Sequence, residues 1–199
     1  MTTVPAAPYC VFLGHRRLAA GSLPEVARAA AVAADGAATE PLLVFDPDGR
    51  QVELDLRGGP EEAFARAEAA VAAAAPPPAP PRGRGRPALG VVAREVTLLP
   101  RHWEWLAAQP GGASVTLRRL VDEARRGAGD ADAVRAARER AYRFLQAIAG
   151  NLAGYEEALR ALFAGDAQGF DDSTATWPPE LRAHAQVLGA GAFVPLIPS

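Results

Sequence analysis

The sequence contains no lysine, one cysteine and no long apolar run. All 21 basic residues are arginine, so arginine richness by itself says little about a partner. Cys10 alone cannot form an internal disulfide, which fits a reducing compartment. No segment approaches 18 apolar residues without charge, and the N-terminus lacks the charged and apolar regions of a signal peptide. We therefore expect a cytoplasmic protein that does not enter a membrane.

Charge is distributed unevenly along the 199 residues, whose formal net charge is −2. Residues 1–81 carry 6 arginines against 10 acidic residues, and residues 144–199 carry 2 against 6. Residues 82–143 carry 13 against 7. A basic segment between two acidic ones indicates a partner of opposite charge, and the usual partner is a polyanion.

Residues 1–75 are predicted to form a small α+β module in the order ββαββα. The predicted elements are strands at 9–13 and 17–20, a helix over 23–34, strands at 41–45 and 51–56, and a helix over 60–75. Ser22 and Glu25 have the spacing of a capping box before the first helix. Asp46-Pro47-Asp48-Gly49 predicts a hairpin turn, because proline presets φ and glycine accepts a positive φ.

Residues 76–93 are predicted to be a Pro/Arg/Gly linker. The sequence PPPAPP favours a polyproline spacer, and the RGRGRP that follows it is pliable; neither carries apolar side chains to bury.

An AT-hook-like tract lies in this linker. Arg84-Gly85-Arg86-Pro87 has the form of the hook core, and Arg82 extends it. Glycine lets a flat backbone enter the minor groove, where A·T-rich sequence concentrates negative potential along the floor that the arginines would follow. The alternative is a solvated basic linker without a ligand.

Residues 94–190 are predicted to be a mainly α-helical domain with one short strand, followed by an irregular tail at 191–199. The strand is expected at 94–99, before helices that begin at Pro100 and Ser114. Gly127 and Gly129 are expected to break the second helix. The next helix has one apolar stripe, formed by Val134, Ala137, Ala141, Leu145 and Ile148. Further helices are predicted near 155–164, 166–174 and 179–188.

Residues 94–126 resemble the ribbon-helix-helix family through REVTLL at 94–99, Pro100, RHWEWLAAQ, and VTLRRLVDEA after Ser114. The resemblance implies a homodimer in which each chain contributes one strand to a ribbon in the DNA major groove. Ser114 matches the N-cap of the second helix, whose N-terminus would hold a phosphate. The arginine side chains expected to contact phosphates are those of Arg94, Arg101, Arg118 and Arg119.

The expected strand departs from that family in one respect. Counting back from Pro100, the positions that face the groove are Leu98, Val96 and Arg94, whereas polar residues are usual there. A slip of one residue would exchange the two faces of the strand. The expected inward-facing residues of the two helices are Trp103, Leu106, Leu117, Leu120, Val121 and Ala124.

Over its whole length the chain is also similar to an uncharacterised bacterial family, domain-of-unknown-function family 2239. The matching segments are LLVFDPDGRQVELDLRG, GRPALGVVAREVTLLPRHWEWLAAQPGGASVTLRRLVDEARR and AYRFLQAIAGNLAGYEEALRALFAGD. This resemblance implies that the three segments belong together, and it brings no activity with it.

Motifs for catalysis are absent from the sequence. His15, His102 and His184 are far apart, and none has metal-ligand spacing with cysteine or carboxylates. We therefore expect no enzyme activity, no cofactor and no metal. The leading hypothesis is a homodimer that binds double-stranded DNA with an A·T-rich preference, as a transcriptional regulator or nucleoid-associated protein. The alternative is a non-enzymatic scaffold whose basic segment docks an acidic partner or its own acidic flanks.

Overall fold

The computed structural model describes residues 8–36, 39–74, 92 and 94–193. The described residues form one small sheet and a series of helices, which confirms the α+β class. In chain order the elements are β1 (Tyr9–Leu13), β2 (Arg16–Gly21), α1 (Leu23–Ala34), β3 (Leu42–Phe45), α2 (Pro60–Ala74), α3 (Pro100–Ala107), α4 (Gly112–Ile148), α5 (Tyr155–Ala164), α6 (Ala167–Ser173) and α7 (Pro179–Leu188).

The three strands form an antiparallel sheet in the order β2-β1-β3. Because side chains alternate along a strand, β1 supplies residues to both faces of the sheet. Val11 is paired with Val44 of β3, and both belong to the cluster on one face. Cys10 is paired with Phe45, and these two belong to the cluster on the other face. Both faces of β1 are therefore covered.

Helix α1 covers the first face, and α2 packs against α1. The Glu25 carboxylate accepts the backbone N–H of Ser22 at 2.8 Å, as the capping-box spacing predicts. Val26 and Ala30 of α1 pack against the sheet. The two helices meet through small side chains, which let their axes approach closely. These side chains are Ala27, Ala31, Ala63 and Ala67.

The second face packs against helices α4 to α7 around an aromatic cluster. The Phe144 ring of α4 lies 5.5 Å from Phe12 and 4.9 Å from Phe45, between ring centroids. Fully burying such a ring contributes about 2 kcal/mol. The predicted apolar stripe of this helix is confirmed, since all five of its residues are buried: Val134, Ala137, Ala141, Leu145 and Ile148.

The predicted fourth strand at 51–56 is wrong. Gln51 forms a single bridge to Phe45, and the N–H of Val52 donates to the Val44 carbonyl at 2.8 Å. Beyond that point Leu54 and Leu56 pack against the clusters of α1 and α2. The chain therefore leaves the sheet, and the N-terminal order is ββαβα.

The predicted turn before Gln51 is confirmed, and it docks against α4. The Asp46 carboxylate accepts the N–H groups of Asp48 and Arg50 at 2.9 and 2.8 Å. Gly49 is buried with φ +72°, and a Cβ atom there would overlap the backbone carbonyl of Arg140. Glycine is therefore required for both its conformation and its size.

The predicted helix break at Gly127 and Gly129 is also wrong. Helix α4 continues through both residues, and neither has a positive φ. Glycine weakens a helix by about 1 kcal/mol relative to alanine without forbidding it. The helices predicted after Ile148 are confirmed as α5, α6 and α7.

The chain divides into two compact units. The main unit comprises Met1–Ala75 with Asp130–Ser199, and the central unit comprises Pro76–Gly129. The core of the main unit includes both the N-terminal strands and the later helices. The predicted linker at 76–93 lies outside the described residues apart from Val92, so it stays a prediction. Within the part that is described, no helix has the length and apolar composition needed to cross a membrane.

Candidate nucleic-acid interface

The residues predicted to contact DNA divide into two groups. Arg82, Arg84, Gly85, Arg86 and Pro87 lie outside the described residues. The remaining five all lie in the central unit and are exposed: Arg94, Arg101, Ser114, Arg118 and Arg119.

The strand predicted at 94–99 does not form in the single chain. No backbone group of residues 94–98 bonds to another described residue's backbone, and most of the segment is exposed. A strand requires a partner for its N–H and C=O groups, and the described chain offers none here. As a result, two apolar side chains of this segment face solvent: Val96 exposes 54% of its surface, and Leu99 is exposed as well.

Helix α3 begins at Pro100, as predicted, and the Leu99 carbonyl accepts the N–H of His102 at 2.8 Å. Leu106 is its one buried residue, at 3% exposure. Trp103 and Trp105 stand on different sides of the helix, and both are exposed. Trp103 was expected to face inward, and in the single chain it is not buried.

The expected N-cap role of Ser114 is wrong in position. Helix α4 starts at Gly112, and both Gly112 and the preceding Gly111 have positive φ values. Ser114 therefore lies in the first turn. Its N–H still belongs to the group that has no acceptor within a helix, so the helix N-terminus keeps its capacity for an anion.

An apolar groove runs between the two helices of the central unit. Its volume is about 270 Å³, and its lining is almost wholly apolar. The residues that line it are Leu98, His102, Trp105, Leu106, Leu117 and Leu120. Val121 extends this apolar surface along α4 with 54% of its own surface exposed. A surface of this kind is typical of a protein interface.

Arg118 and Arg119 of α4 lie at the surface beside the expected apolar stripe. Arg119 pairs with Glu123 one turn later at 2.9 Å, with both side chains about half exposed. Such an exposed pair contributes only a few tenths of a kcal/mol, about 0.3–0.5, so Arg119 can be drawn to another anion at little cost. Arg118 forms no ion pair with a described residue.

The main unit offers a cleft of about 510 Å³ beside the turn between β1 and β2. Two of its polar side chains, those of His15 and Glu180, already have partners. His15 donates from Nε2 to the Ile148 carbonyl at 3.0 Å. The Glu180 carboxylate accepts the N–H of Arg17 at 2.8 Å. Among the described residues, no three His, Cys, Asp or Glu side chains are grouped so that they could hold a metal ion.

Cys10 and His184 form a buried pair that the sequence did not reveal. The Cys10 Sγ atom lies 3.2 Å from His184 Nε2. Burial raises the pKa of the Cys10 thiol to about 12 and lowers the pKa of His184 to about 4. Both groups are therefore uncharged near neutral pH. The only signal in the sequence is that His184 lies at helical spacing from Leu181 and Leu188, which marks an inward position.

The sequence also missed the buried Thr116 in the first turns of α4, at 2% exposure. Its neighbour Leu117 was expected to be inward and instead lines the open groove. Threonine has no strong preference for the interior, so periodicity of apolar residues alone could not identify it.

No curated protein and no solved structure matches the chain. A family model does match it, over residues 8–189, which include both units apart from a few terminal residues. The chain thus belongs to the bacterial family described as uncharacterized proteins conserved in bacteria, DUF2239.

Proposed function

We propose that the chain binds double-stranded DNA as a homodimer formed through the central unit. The observation that carries the proposal is the open apolar groove between α3 and α4, which lies in the same small unit as four exposed arginines expected to contact phosphates.

Dimerisation would bury the apolar side chains that the central unit exposes. Trp103, Trp105 and Val121 expose 41%, 50% and 54% of their surfaces. A short two-helix segment buries little by itself, whereas a twofold pair could cover the same side chains on both copies. Each apolar Å² removed from water contributes about 25 cal/mol.

Strand pairing between two copies would give the backbone groups of residues 94–98 hydrogen-bond partners. A second copy would supply the missing strand edge in the antiparallel geometry that the ribbon-helix-helix resemblance implies. The two copies would then present Arg94 twice, once from each strand.

Charge supports a nucleic acid as the ligand of this dimer. Arg94, Arg101, Arg118 and Arg119 are exposed, and the dimer doubles their number. Each arginine that neutralises a phosphate displaces condensed counterions, so binding should weaken steeply with salt.

Fluorescence anisotropy with A·T-rich and G·C-rich duplexes over a range of salt concentrations tests the proposal. Arg118→Ala should weaken binding to both duplexes and flatten the slope of log K against log salt, by about 0.9 for each phosphate that the variant no longer neutralises. Arg160→Ala is the matched control, because Arg160 is an exposed, ion-paired arginine of the main unit. Equal effects of the two substitutions would contradict the proposal.

A protein-interaction scaffold is the second candidate. Two apolar residues favour it, the exposed Val96 and the half-buried Leu98. They occupy positions of the expected strand that would face the DNA major groove, where polar residues are usual. A scaffold would bind both duplexes feebly and equally, and it would lose that binding at physiological salt. The same titration therefore separates the two candidates.

A further inference from the structure

Helix α4 contains a stretch without tertiary support. Residues 121–127 are exposed on every side of the helix, and so is Gly129. Seven consecutive exposed residues span about two helical turns, so no face of the helix is covered there. Most helical stability in proteins comes from packing, and this stretch must rely on local propensity alone.

Two glycines lower that local propensity. A Cβ atom at Gly127 or Gly129 would meet nothing within 4 Å, and neither residue has a positive φ. Neither backbone conformation nor close packing therefore requires glycine. Each glycine makes the helical state roughly fivefold less favourable than alanine would.

Ion pairs do not compensate for the two glycines. Arg119 pairs with Glu123 near the beginning of the stretch, and Asp132 pairs with Arg135 beyond its end. Between Glu123 and Asp132, no ion pair joins residues whose side chains the structure describes. The end of the helix is different, because Ala137, Ala141 and Leu145 are completely buried.

We propose that α4 opens reversibly at residues 124–130 while its buried end stays helical. The opened segment would act as a pliable hinge between the central and main units. The central unit could then bind its ligand while the main unit changes its orientation. This holds for any ligand of the central unit.

Hydrogen exchange of the full chain, followed by mass spectrometry of peptides, tests the hinge. Amides of residues 124–130 should exchange at least about a hundredfold faster than those of residues 141–148, because only the latter are held by the core. The double substitution Gly127→Ala with Gly129→Ala should slow exchange at 124–130 by roughly 25-fold. It should leave exchange at 141–148 unchanged.

Ala136→Gly is the matched control, since Ala136 is exposed but lies in the supported part of the same helix. It should not create a second fast segment at 141–148. Protection of 124–130 equal to that of 141–148 would overturn the hinge. An equal slowing of both segments by the double substitution would also overturn it, because α4 would then open as one piece.

Discussion

Sγ of Cys10 lies 3.2 Å from Nε2 of His184, and this contact joins β1 to α7 in the core of the main unit. Both side chains are fully or almost fully buried. The Phe144 ring lies against His184, with 4.8 Å between centroids. Because both partners are uncharged near neutral pH, the contact is a neutral hydrogen bond, and charging either partner should weaken the fold.

The pair predicts a loss of stability in mild acid. The pKa of His184 falls to about 4 in the folded chain from the ordinary 6.5, chiefly through burial and secondarily through nearby Arg17. The unfolded state therefore binds more protons between these values. The stability that depends on an uncharged His184 should therefore be fully present above about pH 6.5. It should be lost as the pH falls towards about 4, which lowers the free energy of unfolding by about 3 kcal/mol in all.

Urea denaturation at several pH values measures this loss. His184→Gln removes the titrating group and should be less stable near neutral pH, with a much smaller change between about pH 6.5 and 4.5. If this variant loses as much stability over that interval as the wild type, His184 is not the cause.

The turn at Gly49 predicts a second effect on stability. Gly49→Ala must accept φ +72° and push against the Arg140 carbonyl, so it should cost about 3 kcal/mol or more. Gly59 has φ +90° with open space around it, so Gly59→Ala should cost only the conformational strain of about 1–2 kcal/mol. Thermal unfolding of both variants compares the two costs. Equal costs would mean that the turn does not dock tightly on α4.

Local sequence patterns predicted much of the structure of the main unit. The features that they did not predict depend on contacts between residues far apart in the sequence. The buried face of α4 follows from the spacing of Ala137, Ala141 and Leu145. The Asp46 turn follows from its own residues. The departure of Leu54 from the sheet depends on where α1 and α2 dock, which no local pattern contains.

The central unit was harder to predict for a different reason. A strand at 94–99 can form only beside a second strand, and the single chain has none for it among the described residues. Gly127 and Gly129 indicated a helix end, but their cost is too small to break a helix that is supported on both sides.

The apolar groove predicts that single charges will disrupt the dimer. Leu120→Glu places a carboxylate in the lining of the groove and should convert a dimer to a folded monomer. Val187→Glu is the matched control, because Val187 is about half exposed on α7 in the main unit. Light scattering at micromolar concentration gives both masses. A wild-type monomer, or a dimer that survives Leu120→Glu, would contradict this interface.

The arginine tract predicts a preference for A·T-rich duplexes. Replacing both Arg84 and Arg86 with alanine should weaken binding to A·T-rich DNA more than to G·C-rich DNA, since the narrow groove rewards an inserted guanidinium. Competition binding with the two duplexes measures the ratio of affinities. An unchanged ratio would reject the AT-hook interpretation while leaving the dimer interface untouched.

The mass of the protein–DNA complex tests the central claim most directly. Light scattering coupled to size exclusion, with the full chain and a short A·T-rich duplex at low salt, counts the chains on each duplex. A twofold ribbon in the major groove requires two chains on one duplex, and Leu120→Glu should abolish that complex. One chain per duplex, or no complex at low salt, would contradict the account.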